Sequence, residues 1–318
     1  MIQFLRSLLP HHRVTTQPPY RMAHHPIFEQ FPPYAGKVPE GCQTDYVGTS
    51  TRCEFVADTA PSPSEVQVSR PPIDEEYFEW VDILESVSLA RDRYTMLELG
   101  AGYGRWAVRA ASAARQRGIR ECHLVAVEAE PVHFTWLKQH FCDNGLDPAQ
   151  HTLVHGAVCD QPGKTLFYFR MPGKQDQADE WYGQFITRSN DKPRTKAQES
   201  YAGLPVFVHK SGWKSIEVPA VTLSGLLRDL DRVDLIDMDV QEEELKVVRS
   251  AIDDLDRKVC RLHIGTHRRR IERGLRRTLR SHGWICHFDY PCGSTTETEF
   301  GLVHFGDGVQ SWTNPRFQ

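Results

Sequence analysis

From Tyr94 onward, short apolar runs alternate with amphipathic helical stretches, and that alternation restricts the fold more than any other feature of the 318-residue chain. "YTMLEL" reads as a buried strand and "GRWAVRAASAARQRG" as the helix after it, ending at Gly118. "HLVAVEAE" is a second strand, and "TLVHGAV" a third. Between them, "PVHFTWLKQHFCDNG" is a helix with Pro131 in its first turn and Gly145 just past its end. Four more strands are expected at "VDLIDMDV", "CRLHIGTH", "WICHFDY" and "FGLVHF", with helices at "EEELKVVRSAI" and "RRRIERGLRRTLRSHG". Such alternation implies an α/β fold: a doubly wound, mainly parallel seven-stranded sheet with helices on both faces. The last two strands have no helix between them, so an antiparallel strand is expected near the C-terminus.

The chain ahead of this region has a different texture. Residues 1–72 hold "QPPY", "HHPIFEQFPPY" and "APSPSE", in which proline favours extended backbone, and only "CEFVAD" resembles a short strand. They are expected to form a proline-rich N-terminal arm or cap on a main domain spanning 73–318. That domain opens with a helix in "IDEEYFEWVDILESV", where Tyr77, Trp80, Val81, Leu84 and Val87 recur at helical spacing. A polar excursion over 161–219 contains the strand-like "KTLFYFRM" and is read as a loop or a substrate-facing insertion, centred on about 170–215. The N-terminal "MIQFLRSLLP" is interrupted by Arg6 and stopped by Pro10, too short for a membrane span. The eight cysteines contain no C-x-x-C pair and suggest reduced thiols and a cytoplasmic location. A net charge of −4 makes a nucleic-acid partner an unfavoured reading.

"LELGAGYGRW" joins the first strand to its helix through Gly100, Gly102 and Gly104. In parallel sheets ligands sit beyond the carboxyl ends of the strands, where backbone amides are free. A dinucleotide fingerprint requires a small residue five positions after the first glycine, and Arg105 stands there. The pattern that is present, Glu98 followed by the three glycines, resembles motif I of the Rossmann-like S-adenosylmethionine-dependent methyltransferases. The resemblance implies S-adenosyl-L-methionine as cofactor, the glycines as its close backbone contact, and Glu98 as the residue ordering the loop and the methionine end. It implies Glu128 as acceptor of the ribose hydroxyls, and Ala157, in "HGAV", as part of the adenine wall.

Three later stretches, "VDLIDMDVQEEELKVV", "RLHIGTHRRRIERGLRRTLRSHGW" and "DGVQSWTNPRF", resemble the FkbM family of methyltransferases over residues 94–317. Asp239 takes the family aspartate, Gln241 a position often held by Glu, and Glu244 the later acid. Glu242 stands where glycine is usual. The resemblance implies O-methylation of a hydroxyl on a sugar, glycan or natural product.

Methyl transfer is an in-line displacement, so a nucleophilic oxygen must be held near the methyl carbon and its proton managed. Asp239, at the end of the fourth strand, is expected to orient the acceptor. His267, after the fifth, is expected to act as base, because imidazole titrates near neutral pH. Asp237 with Asp239, and His263 with His267, share strand faces, but neither pair has a spacing diagnostic of a metal, so no metal ligand is assigned. Trp181, Tyr182, Gln184 and Gln241 are candidate substrate contacts. The arginines of 268–280 surround Ile271, Leu275 and Leu279 on an amphipathic helix; they read first as a solvated face and second as a site for a phosphate-bearing substrate. The "PPY" pieces lack a leading Asp or Asn and read as extended turns. Two readings compete with a methyltransferase: a non-catalytic cofactor-binding scaffold and a nicotinamide-dependent oxidoreductase.

Overall fold

The computed structural model describes residues 24–56, 59–170, 184–187 and 190–317. The principal sheet is built from β1 (Arg93–Leu99), β2 (Glu121–Glu128), β3 (Thr152–His155), β10 (Leu235–Met238), β11 (Arg261–Thr266), β12 (Ile285–Tyr290) and β15 (Gly308–Thr313). Their spatial order is β12-β15-β11-β10-β1-β2-β3, with β15 antiparallel to both neighbours and the other pairs parallel. The strand order reverses between β10 and β1, which opens a crevice at their carboxyl ends.

Alternation along the strands divides the core into two layers. Tyr94, Met96, Leu124, Ala126 and Leu235 face α1 (Tyr77–Leu89), α2 (Arg105–Gln116) and α3 (Pro131–Asp143). Leu97, Leu99, Val125, Val127, Ile236 and Met238 face the opposite helices, α4 (Leu223–Leu227), α5 (Glu244–Ser250), α6 (Ile252–Lys258) and α7 (Arg269–Ser281). The α1 side also carries charge. Arg261 and His263 on β11 both bond Asp82 of α1, so a polar layer lies buried beneath that helix.

Three expectations are corrected. "FGLVHF" is not in the principal sheet: β14 (Gly301–Phe305) pairs with β13 (Ser294–Thr298) in a separate hairpin, and the antiparallel strand is the later β15. The polar excursion is a second sheet rather than a loop: β5 (Gly163–Arg170), β6 (Phe185–Ile186), β7 (Pro193–Tyr201), β8 (Leu204–His209) and β9 (Lys214–Thr222) in the order β6-β5-β9-β8-β7. It is tied to the chain beside β2 by parallel pairing of β9 with β4 (Ala157–Cys159). Finally, "CEFVAD" contains a 3-10 turn, Cys53–Phe55, whose Phe55 ring stacks on Tyr103 and Trp136 instead of extending a strand.

Residues 24–56 lie against α1, α2 and α3. The Tyr77 hydroxyl accepts from the His25 amide, Arg109 pairs with Asp45 at 2.8 Å, and Arg52 pairs with Asp143 at 2.6 Å. "QPPY" lies outside the described residues. No helix among the described residues is long and apolar enough to cross a membrane.

Candidate active site

The glycine turn after β1 is shaped first by the protein around it. Gly100 has φ +83°, and a Cβ there would sit 1.9 Å from the Asp239 carbonyl oxygen, so only glycine lets the chain leaving β10 cross at this height. At Gly104, φ +78°, a Cβ would meet Leu137 of α3 at 2.3 Å. The Gly102 amide donates to Glu128 Oε2 at 2.7 Å, and the Glu130 amide to Oε1 at 2.7 Å. Glu98 receives the amides of Trp106 and Ala107 at 3.0 and 2.9 Å, capping α2 and fixing the turn. Burial pushes the Glu98 carboxyl up to about 7 and that of Glu128 up to about 8, against the lowering effect of these amides.

Two connected spaces meet at Gly100, Asp239 and Gln241. One is a narrow slot walled by Glu128, Ala129, Ala157, Val158, Phe167 and Ile186, with Gln184 at its edge. The other is a cavity of about 520 Å³, lined by Glu79, Glu98, Arg105, Asp237, His263 and Asp307 among others. Arg105 is clamped by Glu76 through two guanidinium nitrogens. A larger cavity, about 880 Å³, lies at the other end of the strands beside Arg93, Asp234 and Arg261, away from the glycine turn.

His267 sits among three carboxylates. Its Nδ1 is 2.7 Å from Glu244 Oε1, while Nε2 lies 3.2 Å from Asp239 Oδ1 and 3.6 Å from Asp307 Oδ1. Burial disfavours the imidazolium, but Asp239 and Glu244 outweigh it and push the ring up to about 11. The groups packed around Asp239 oppose its ionisation although its side chain is half exposed, yet the nearby His267 and the Gln241 amide hold its carboxyl below the usual range. With carboxylates against both ring nitrogens, His267 is biased toward its protonated form, above the near-neutral range in which a base role was expected.

Gln241 donates from Nε2 to Asp239 Oδ1 at 3.0 Å. Gln241 and Glu242 both have positive φ, +47° and +79°, which carries the chain sharply away from β10 and turns Asp239 toward the cleft. The Glu242 amide donates to Glu244 Oε1, and the Glu242 carboxylate pairs with Arg268 at 2.6 Å.

Of the residues singled out from sequence, Gly100, Gly102, Glu128, Ala157, Gln184, Asp239 and Gln241 line the slot, with Glu98 and Gly104 behind the turn and His267 beside Asp239. Trp181 and Tyr182 lie outside the described residues. Arg268 and Arg276 of the arginine-rich helix are committed to Glu242 and Asp289, while Arg269, Arg273, Arg277 and Arg280 face outward. Sequence reasoning missed Glu79, Arg105 as a cavity residue, and Asp307. Helical spacing alone does not say that Glu79 shares the inward face of α1 with Asp82.

The sequence matches the Methyltransferase FkbM domain over residues 98–288, from Glu98 at the turn to the middle of β12. The chain belongs to the FkbM methyltransferase family. A relative in Jannaschia sp. (strain CCS1), whose name places it provisionally among methyltransferases, is 28% identical over 213 residues, 67% of this chain and 70% of that one. The precorrin-6y C5,15-methyltransferase of Geobacter metallireducens GS-15 aligns at 12% identity and TM-score 0.41, covering 85% of this chain and 98% of that one. The C-terminal domain of the Rhodobacter capsulatus precorrin-6Y enzyme aligns at 9% and 0.37, covering 78% and 90%. For this FkbM chain the fold assignment rests on its own strand order, and methyl transfer is the activity that family membership gives it.

Proposed function

We propose that the cleft binds S-adenosyl-L-methionine across both spaces and directs its methyl group to a hydroxyl of a small, sugar-like or natural-product acceptor. The observation that carries the cofactor is Glu128: a buried carboxylate at the end of β2, held by two amides and opening onto an apolar slot. Each carboxylate oxygen keeps a second lone pair, so two ribose hydroxyls can donate to Glu128 while the amide bonds persist. Ala129, Ala157, Val158 and Phe167 suit a flat adenine. In the wider cavity Glu98 suits the α-amino group of the methionine end, and Arg105 suits its carboxylate.

When bound, the cofactor supplies an electrophilic methyl carbon on a sulfonium. Asp239, ionised and facing the junction of the two spaces, accepts a hydrogen bond from the acceptor hydroxyl, aims an oxygen lone pair at that carbon, and would take the hydroxyl proton as the oxygen–carbon bond forms and the carbon–sulfur bond breaks to leave a neutral thioether. His267 is a positioning residue: as a cation anchored by Glu244 it fixes the Asp239 carboxylate and keeps it ionised. Asp239 at the junction is what favours a hydroxyl acceptor, since a hydroxyl needs an acceptor group to orient it.

Calorimetry with S-adenosylmethionine and NAD, followed by transfer of a labelled methyl group to a panel of sugars and natural-product alcohols read by mass spectrometry, tests both halves. The expected result is binding of S-adenosylmethionine and not NAD, abolished in Glu128→Gln, with a rate at saturating S-adenosylmethionine that shows no rising limb near pH 6.5. Binding of NAD alone contradicts the cofactor assignment, and products methylated only at nitrogen or carbon contradict the hydroxyl acceptor. A limb near pH 6.5 that disappears in His267→Gln would return the base role to His267.

A further inference from the structure

Behind Asp239 the cavity is lined by groups that methyl transfer, as derived above, leaves unused. On the α1 face of the sheet, Glu98, Asp237 and His263 stand in one cross-strand row: Asp237 is in register with Glu98 of β1 on one side and with His263 of β11 on the other. Helix α1 closes over this row and brings Glu79 to it, with Glu79 Oε1 3.9 Å from His263 Nε2. One ligand atom each from Glu79, Asp237 and His263 lies within 4.8 Å of the other two.

Two details distinguish this from a chance gathering of acids. Asp237 is 4% exposed, and its Oδ1, in the wall of the cavity, has no hydrogen-bond partner among the described residues. Leaving a buried carboxylate oxygen unbonded beside a second carboxylate is costly unless a proton or a cation sits between them. His263, moreover, is already oriented as a ligand. Its Nδ1 contacts Asp82 Oδ2 at 2.7 Å, and Asp82 is itself held by Arg261 and Ser311, so the other nitrogen, Nε2, is turned toward Glu79. A carboxylate behind a histidine is the usual support for a metal-binding imidazole, because it fixes both tautomer and ring plane.

We propose that Glu79, Asp237 and His263 form a binding site for one divalent first-row transition-metal cation. Two carboxylates and one imidazole suit Mn²⁺ or Zn²⁺ better than Mg²⁺, which prefers an all-oxygen shell. Ligand atoms about 2 Å from a shared ion stand roughly 3–4 Å apart, so the side chains close in by about 1 Å on binding. The three protein ligands come from α1, β10 and β11, which leaves the remaining coordination positions toward the cavity. On the reading of Asp239 given above, an oxygen of the acceptor fills one of them, next to the carboxylate that orients it.

The test uses the full chain, freed of metal by EDTA dialysis and titrated with Mn²⁺ while the signal of free Mn²⁺ is followed by electron paramagnetic resonance. One Mn²⁺ per chain is expected, with a single imidazole nitrogen coupling in the electron spin echo modulation. Asp237→Asn and Glu79→Gln, each checked for folding by near-UV circular dichroism, should each weaken binding by at least about tenfold. No saturable binding, no nitrogen coupling, or binding unchanged in both folded variants overturns the proposal. So does mutual exclusion between Mn²⁺ and S-adenosylmethionine, which would assign the acids to the ammonium group of the methyl donor. Because the readout is binding, failure to find a methylated product bears on the proposed reaction and leaves the metal site standing.

Discussion

Glu242 shows how a single residue can oppose its own backbone. It occupies a position where the FkbM resemblance leads one to expect glycine, and its φ of +79° is what glycine would adopt freely. A non-glycine residue there costs about 1–2 kcal/mol. Its carboxylate offsets part of that through Arg268 and, at 3.8 Å, Arg270, but both arginines are largely solvated, so water screens the pairs and leaves them weak. The backbone cost is the larger of the two. Glu242→Gly is therefore expected to stabilise the protein by about 1 kcal/mol, since the amide bond to Glu244 survives the change. Urea unfolding at pH 7 measures this, and a loss of stability would show that the arginine pairs outweigh the strain. The glycines of "LELGAGYGRW" were legible as a site marker but not for their full reason. Gly100 and Gly104 are dictated by the Asp239 carbonyl and the Leu137 methyl, contacts between segments far apart in sequence.

Among elements, legibility followed the apolar pattern and failed where polar groups are buried. The strands carrying Glu98, Glu128, Asp237 and His263 stood out because their neighbours are continuous apolar runs. β15 did not stand out, because Gln310, Ser311 and Thr313 are buried in it. Each of these is satisfied by tertiary partners that sequence does not show: Gln310 donates to the Glu272 carbonyl, Ser311 to Asp82, and Thr313 meets His287. β14, half-exposed in its hairpin, alternates more cleanly and so read as the better strand. The second sheet was illegible for a related reason, since β7 is mostly exposed and polar. Helix α7 permits a sharper separation of roles. Arg276 binds both oxygens of Asp289 on β12, at 2.6 and 2.7 Å and partly shielded from water, whereas Arg273, Arg277 and Arg280 face outward. Arg276→Ala should cost about 1–2 kcal/mol by detaching α7 from β12. Replacing the other three together by Gln should change stability by less than about 0.5 kcal/mol per site. Thermal unfolding of both variants checks the contrast, and equal losses would mean that the outer arginines also hold structure.

At the scale of the whole molecule, the buried ionisable groups of the cleft set how stability and cofactor binding respond to pH. Glu128 is shifted upward by burial to about 8, so the folded state holds a proton that the unfolded chain releases near its ordinary value. Its contribution is complete below about 4.5 and is lost as pH rises through about 8. His267, shifted up to about 11, stabilises the fold fully below about 6.5 and loses that contribution as pH rises through 11. Both groups act in the same direction. Ion-paired carboxyls such as Asp143, held low chiefly by its bond to Arg52, act oppositely, losing their contribution only as the solution becomes strongly acidic. The melting temperature of the ligand-free protein should therefore peak on the acid side, near about pH 5–6, and decline toward pH 9. Cofactor binding should run the other way. Ribose hydroxyls donate to the ionised Glu128, so S-adenosylmethionine affinity is expected to rise up to about tenfold per pH unit between pH 6 and 8 and then level off. Differential scanning fluorimetry and calorimetry across pH 5–9 measure the two trends. A melting temperature that climbs from pH 6 to 9, or an affinity that ignores pH in this window, would mean that Glu128 is already ionised in the ligand-free protein.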